Sequence, residues 1–170
     1  MKDATEILDG IVRSIERVGR SGRDDVYLDN VSFRINSETL DIPHDSSLRD
    51  AESKVEEIWK KIGRRDFEPE VGFFSVETDL LSPNVSFIQI LPIDYRSEGR
   101  KVNMMVTMPC VDAVRELPQE VLTLELFLHY VSSYMGLKPG HITFNIGVAF
   151  INWEDVTCEV GDLDELEIPR

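Results

Sequence analysis

The stretch from Leu117 to Tyr134 constrains the fold most, because Val121, Leu122, Leu124, Leu126, Phe127, Leu128, Tyr130 and Val131 make its helical pattern apolar on most sides. A helix without a solvent face has to be buried between other layers. Leu117-Pro118 opens it, since proline suits a first helical turn, and Gly136 and Pro139 stop it. A chain of 170 residues can enclose such a helix in one core. One domain spanning residues 1–170 is therefore expected, with 153–170 as an acidic surface tail.

The other elements follow from periodicity. Ile7, Leu8, Ile11, Val12, Ile15 and Val18 recur at helical spacing, and the helix ends at the loop Gly19-Arg20-Ser21-Gly22-Arg23. Val26 and Leu28, then Val31, Phe33 and Ile35, mostly alternate with polar residues as in a half-buried strand. Ala51, Val55, Ile58, Trp59 and Ile62 share a helical face, with Gly63 as C-cap. Residues 70–78, 83–92 and 101–108 read as strands, divided by turn signals at Ser82-Pro83-Asn84 and near Arg96-Ser97-Glu98-Gly99, and residues 140–153 form the last strand. The class is α+β, a mixed sheet packed by a long buried central helix and flanking helices.

Charge narrows the partners. Eighteen Lys and Arg against 32 Asp and Glu give a net charge of -14, which argues against direct binding to nucleic acid through its phosphates. Solubility, a basic protein partner and imitation of a nucleic acid are all compatible with such a surface. No window reaches the roughly 18 apolar residues of a membrane span, and the N-terminus lacks the apolar run of a signal peptide. Cys110 and Cys158 make neither a disulfide framework nor a paired metal spacing. A cytoplasmic location is expected, with no metal and no cofactor.

The segment Leu126–Trp153, with its turn Gly136-Leu137-Lys138-Pro139-Gly140, resembles the thymidylate synthase family's long helix, glycine-proline turn and following strand. Leu117-Pro118 and His129 match that helix, Arg20-Ser21-Gly22 is similar to the family's Asp-Arg-Thr-Gly loop, Phe33-Arg34-Ile35 to its Met-Arg-Phe strand, and Glu56-x-x-Trp59 with Gly63 to its Glu-Leu-Leu-Trp helix. The resemblance implies a thymidylate synthase-like fold and a homodimer formed by packing sheets face to face. The chain is shorter than the family, mainly between Gly63 and Pro83 and after Asp155.

The same resemblance puts Asn84 where the family has its cysteine nucleophile, and an amide cannot form that adduct. Thymidylate synthase activity is not expected. Pro109 replaces the phosphate-binding arginine, and Phe150 and Asn152 replace the His-x-Tyr pair that contacts the sugar hydroxyl. Cys110 falls on a serine of the family pattern and reads as a small buried residue. The nucleotide-binding candidates that remain are Arg20, Ser21, Gln89, Asp112, Glu120 and Asn152, with Glu56 the catalytic candidate for proton transfer. An acid at 120 favours cytosine over uracil as a bound base.

Each candidate also has a structural reading. Arg20 is a solvated loop residue, Glu56 pairs with Lys60 or faces water, Glu120 is a solvated first-turn glutamate, Trp59 a core aromatic and Asp112 a turn or cap residue. Three functions are compatible with this pattern. The first is a catalytically degenerate module that binds a pyrimidine nucleotide or a protein partner. The others are an enzyme of altered chemistry on such a nucleotide, using Glu56 and Glu120, and an acidic interaction or inhibitor protein.

Overall fold

The computed structural model describes residues 4–38, 46–62, 74–76, 84–95 and 99–156. Helix α1 (Ala4–Val18) leads through a two-residue strand β1 (Arg20–Ser21) into β2 (Asp25–Asn36). Helix α2 (Ser46–Ile62) follows, then β3 (Phe74–Val76), β4 (Phe87–Tyr95) and β5 (Gly99–Asp112). Helix α3 (Leu117–Tyr134) connects β5 to β6 (Lys138–Asn152), and a single 3-10 turn covers Trp153–Asp155. The strands form one sheet in the order β1-β2-β6-β5-β4-β3. Only β5 and β6 pair in parallel, and every other neighbour is antiparallel. The fold is mixed α+β, as the periodicity implied.

The parallel pair exists because α3 carries the chain back from the end of β5 to the start of β6, as parallel strands require. Leu117, Val121, Leu124, Phe127, Leu128 and Val131 of α3 are buried, as its all-round apolar pattern demands. It packs on β5 and β6, with α2 beside it and α1 lying over β2 and β6. Ile11 and Ile15 of α1 and Ala51 and Val55 of α2 close the core. At its C-terminus, the Gly136 N–H bonds the Ser133 carbonyl and the Leu137 N–H bonds the Ser132 carbonyl. That cap requires the left-handed φ of +65° at Gly136.

The helices all share the same face of the sheet. The buried side chains of β6 are Ile142, Phe144 and Ile146, and then Ala149 and Ile151. The buried apolar side chains of β5 are Val102, Met104, Val106 and Met108, and then Val111. Both strands therefore change alternation phase between the same two rows, at Gly147 and Pro109. On β2 the apolar pattern changes between Leu28 and Val31, across Asn30, whose φ is +56°. Asp29 and Val31 pair with Val148 and Ile146, and Met108 and Cys110 pair with Ile146 and Val148. Asn30, Gly147 and Pro109 thus occupy one row, and the three strands kink together.

This kink corrects the expectation for Cys110, which is exposed rather than buried. With the phase advanced by one residue, Val111 takes the core position and Cys110 turns to the uncovered face. Other boundaries also differ from the sequence reading. Arg20-Ser21 pairs with Tyr27 and Val26 instead of remaining loop. Strand β4 starts at Phe87 rather than 83, since Asn84 sits in a turn, and β5 continues to Asp112. Strand β6 starts at Lys138, and Pro139 lies opposite Val102 inside the ladder, so the Gly136–Gly140 turn is shorter than it reads. Gly63, Ser82-Pro83, Cys158 and the acidic tail beyond Val156 lie outside the described residues.

At Gly147 an added Cβ would stand 2.6 Å from the Pro109 carbonyl oxygen, which is backbone and cannot swing aside. Gly147→Ala is expected to lower stability by about 1–3 kcal/mol, the usual cost of overpacking. Urea denaturation followed by circular dichroism would measure it.

Candidate functional site

Two polar clusters sit at opposite ends of the β5–β6 pair. At the end where both strands finish, Asp112 is buried, with 4% of its surface exposed. One carboxylate oxygen accepts the backbone N–H groups of Val114 and Arg115, each at 2.9 Å, and the other accepts the Asn152 side-chain amide at 2.9 Å. Its own N–H donates to the Glu116 carboxylate at 3.2 Å. The carboxylate thereby ties the turn before α3 to the end of β6. Arg115 pairs with Asp155 at 2.7 Å and Glu154 at 2.5 Å, and these contacts hold its guanidinium protonated.

Several candidates lie around this knot. Arg20, Tyr27, Phe150 and Asp112 form one row across four strands, which spaces Arg20 about 14 Å from Asp112 at the usual interstrand distance. Arg20 is exposed and pairs with Asp29 at 3.3 Å, and Ser21 beside it is exposed. Glu120 is buried at 6% in the first turn of α3, not solvated as its position suggested.

Other candidates lie apart. Gln89 shares a row with Met105, seven residues along β5 from Asp112, or about 23 Å. Glu56 is exposed and pairs with Lys60 at 3.5 Å. It lies one turn before Trp59, whose ring meets Tyr130 and Tyr134 at centroid distances of 5.6 and 5.1 Å. Tyr130 is about 15 Å along α3 from Glu120. Glu56 and Glu120 therefore do not form an acid–base pair. Asn84 is half-buried in its turn, and Cys110 is exposed.

The second cluster lies where β5 and β6 begin, and the sequence reading passed over most of it. The Ser37 hydroxyl donates to Glu125 at 3.1 Å, and His129 donates through Nε2 to the Ser37 carbonyl at 2.7 Å, since a carbonyl can only accept. Glu125, His129 and Ser132 share one stripe of α3, and Ser132 is fully buried. Lys101, 7% exposed, donates to Glu38 at 2.7 Å, and Asn103 accepts the His141 N–H at 3.0 Å. One signal for this seam was available, namely a glutamate inside the run Leu124 to Leu128.

Beside His129 runs a groove of about 670 Å³ between α2 and α3, lined by Trp59, Leu126, Tyr130, Ser133 and Tyr134. Its described lining is aromatic with polar edges and holds no carboxylate. Among the described residues no three His, Cys, Asp or Glu side chains converge as metal ligands, and no helix is long and apolar enough to cross a membrane.

Two measurements test these clusters. Asp112→Ala should cost about 1–3 kcal/mol in urea denaturation, because several buried donors lose their acceptor together. Burial, then Arg34 and Lys101, hold the His141 imidazole below its ordinary value of 6.5. The folded chain thus disfavours the charged ring, so stability is full above pH 6.5 and falls below it until the folded ring also protonates. His141→Gln should flatten that slope between pH 7.5 and 5.5, read from urea midpoints. No protein-family model matches the chain, and no curated protein matches it.

Proposed function

We propose that this protein is a non-catalytic interaction module on a thymidylate synthase-like scaffold, and that it works as a homodimer through the uncovered face of its sheet. The carrying observation is the one-sided placement of the helices. On the opposite face Phe87, Leu91, Met105, Thr107, Val148 and Phe150 are half-buried side chains with no described helix above them. A sheet face of that composition is stabilised by packing against a second sheet about 10 Å away.

The groups needed for chemistry support the same reading. Asn84 supplies no thiolate, Glu56 is an exposed partner of Lys60, and Asp112 spends one carboxylate oxygen on the turn before α3 and the other on the Asn152 amide. A pyrimidine nucleotide would have to compete with those bonds, so the nucleotide-binding reading is the weaker one. An acidic protein with a paired sheet face fits a role in holding other proteins, consistent with the net charge of -14.

Sedimentation equilibrium tests the proposal. Wild type should sediment near twice its 19.4 kDa. Thr107→Arg, which puts a charge in the middle of the face, should sediment as a monomer with unchanged far-UV circular dichroism. A wild-type monomer up to about 100 μM would sink the proposal, because that limit corresponds to weaker association than a specific interface gives.

A further inference from the structure

The uncovered face is not electrostatically uniform, and its charges are sorted along the strand direction. At the end where β5 and β6 begin it carries Arg34 and His141, with Lys101 one strand away. Arg34 is exposed and His141 half-buried, and they stand diagonally on β2 and β6, since Arg34 pairs with Thr143 and Asn36 with His141. Burial first, then the nearby Arg34 and Lys101, disfavours charge on the imidazole, and Lys101 itself is tied to Glu38. At the other end stand Asp25 and Asp29 of β2, beside Asn152 and Val148 of β6. Asp29 already pairs with Arg20, but its side chain stays 37% exposed.

Between these ends lies a row of short side chains, Ser32, Asn145 and Thr107, with Phe87 at its far edge. The Ser32 hydroxyl bonds the Asn145 side chain at 3.0 Å, which keeps the row low. Arg34 lies two residues to one side of Ser32, and Asp29 lies three to the other, across the kink at Asn30.

Two copies that pack face to face are related by a two-fold axis lying in the plane between them. If that axis ran along the strands, the end bearing Arg34 would face the same end of the second copy, and cation would approach cation. If it runs across the strands, the basic end of each copy faces the acidic end of the other. We propose the second arrangement: the two-fold axis follows the Ser32–Asn145–Thr107 row, and Arg34 of each copy faces Asp29 of the other. The short side chains on the axis meet their own copies and let the sheets approach, while two equivalent cross-pairs fix the orientation. This inference rests on the dimer proposed above and adds its geometry and its salt dependence.

Charge reversal tests it by sedimentation at low salt. Arg34→Asp and Asp29→Arg should each weaken dimerisation by about tenfold or more, because each puts like charges opposite one another. The double variant, in which every cross-pair is restored with reversed sign, should return to within about threefold of wild type. Arg20→Ala controls for loss of the Arg20–Asp29 pair and should change dimerisation by less than about threefold. Raising sodium chloride from about 0.05 to 0.5 M should weaken wild type and leave an Arg34→Gln/Asp29→Asn variant nearly unaffected. A stable dimer indifferent to both single reversals would overturn the crossed arrangement while leaving the dimer in place. Single reversals that weaken the dimer without rescue in the double variant would also overturn it. A wild-type monomer would remove both.

Discussion

Burial of α3 on nearly every side is the constraint from which the rest of the architecture follows. A helix with Leu117, Val121, Leu124, Phe127, Leu128 and Val131 buried needs a sheet beneath it and further helices around it. Because α3 also connects β5 to β6, the strands it covers become the parallel pair at the centre of the sheet. Helices α1 and α2 then complete the same side, and no described helix lies on the opposite face of the sheet. The buried glutamates fit this picture only if they have partners. Glu125 finds the Ser37 hydroxyl, which ties the end of β2 to the middle of α3.

The kinked row at Asn30, Gly147 and Pro109 shapes the uncovered face. It advances the alternation of three neighbouring strands together, so the core stays apolar on both sides of the kink while the outward residues are re-aimed. Gly147 is required there because the Pro109 carbonyl occupies the space of a side chain. Coordinated phase changes of this kind increase the local twist of a sheet and turn particular side chains toward a surface. Here Cys110 and Val148 are directed outward, and Val111 and Ala149 take the core positions.

Much of this was legible in the sequence. The helix periodicity of residues 7–18 and 51–62 and the apolar run after Leu117 correspond to α1, α2 and α3. The kink was also written there, since Val26 and Leu28 are followed by Val31, Phe33 and Ile35, a change of parity across Asn30. The fate of Cys110 was not, because its orientation depends on which row of β6 lies beside Pro109, and register is a property of the assembled sheet. Pro139 misled for a related reason: a proline reads as a break, yet it is tolerated at the second position of β6. At the polar clusters, Asp112 was readable as a turn or cap residue, and Glu56 as the partner of Lys60. The Ser37–Glu125–His129 seam joins residues about ninety positions apart, and no local pattern announces such contacts.

In the proposed dimer the working surface is the uncovered sheet face, and a second copy covers it. Cys110 reports on that face directly, because its thiol is exposed in the single chain and stands next to Val148 in the ladder. The decisive measurement is the rate of maleimide labelling at Cys110, resolved from Cys158 by peptide mass spectrometry, over a range of protein concentrations. Rapid labelling in dilute solution and strong protection at high concentration are expected, with Cys158 serving as the reference within each sample. Labelling of Cys110 at one rate across the whole range would contradict the proposed dimer.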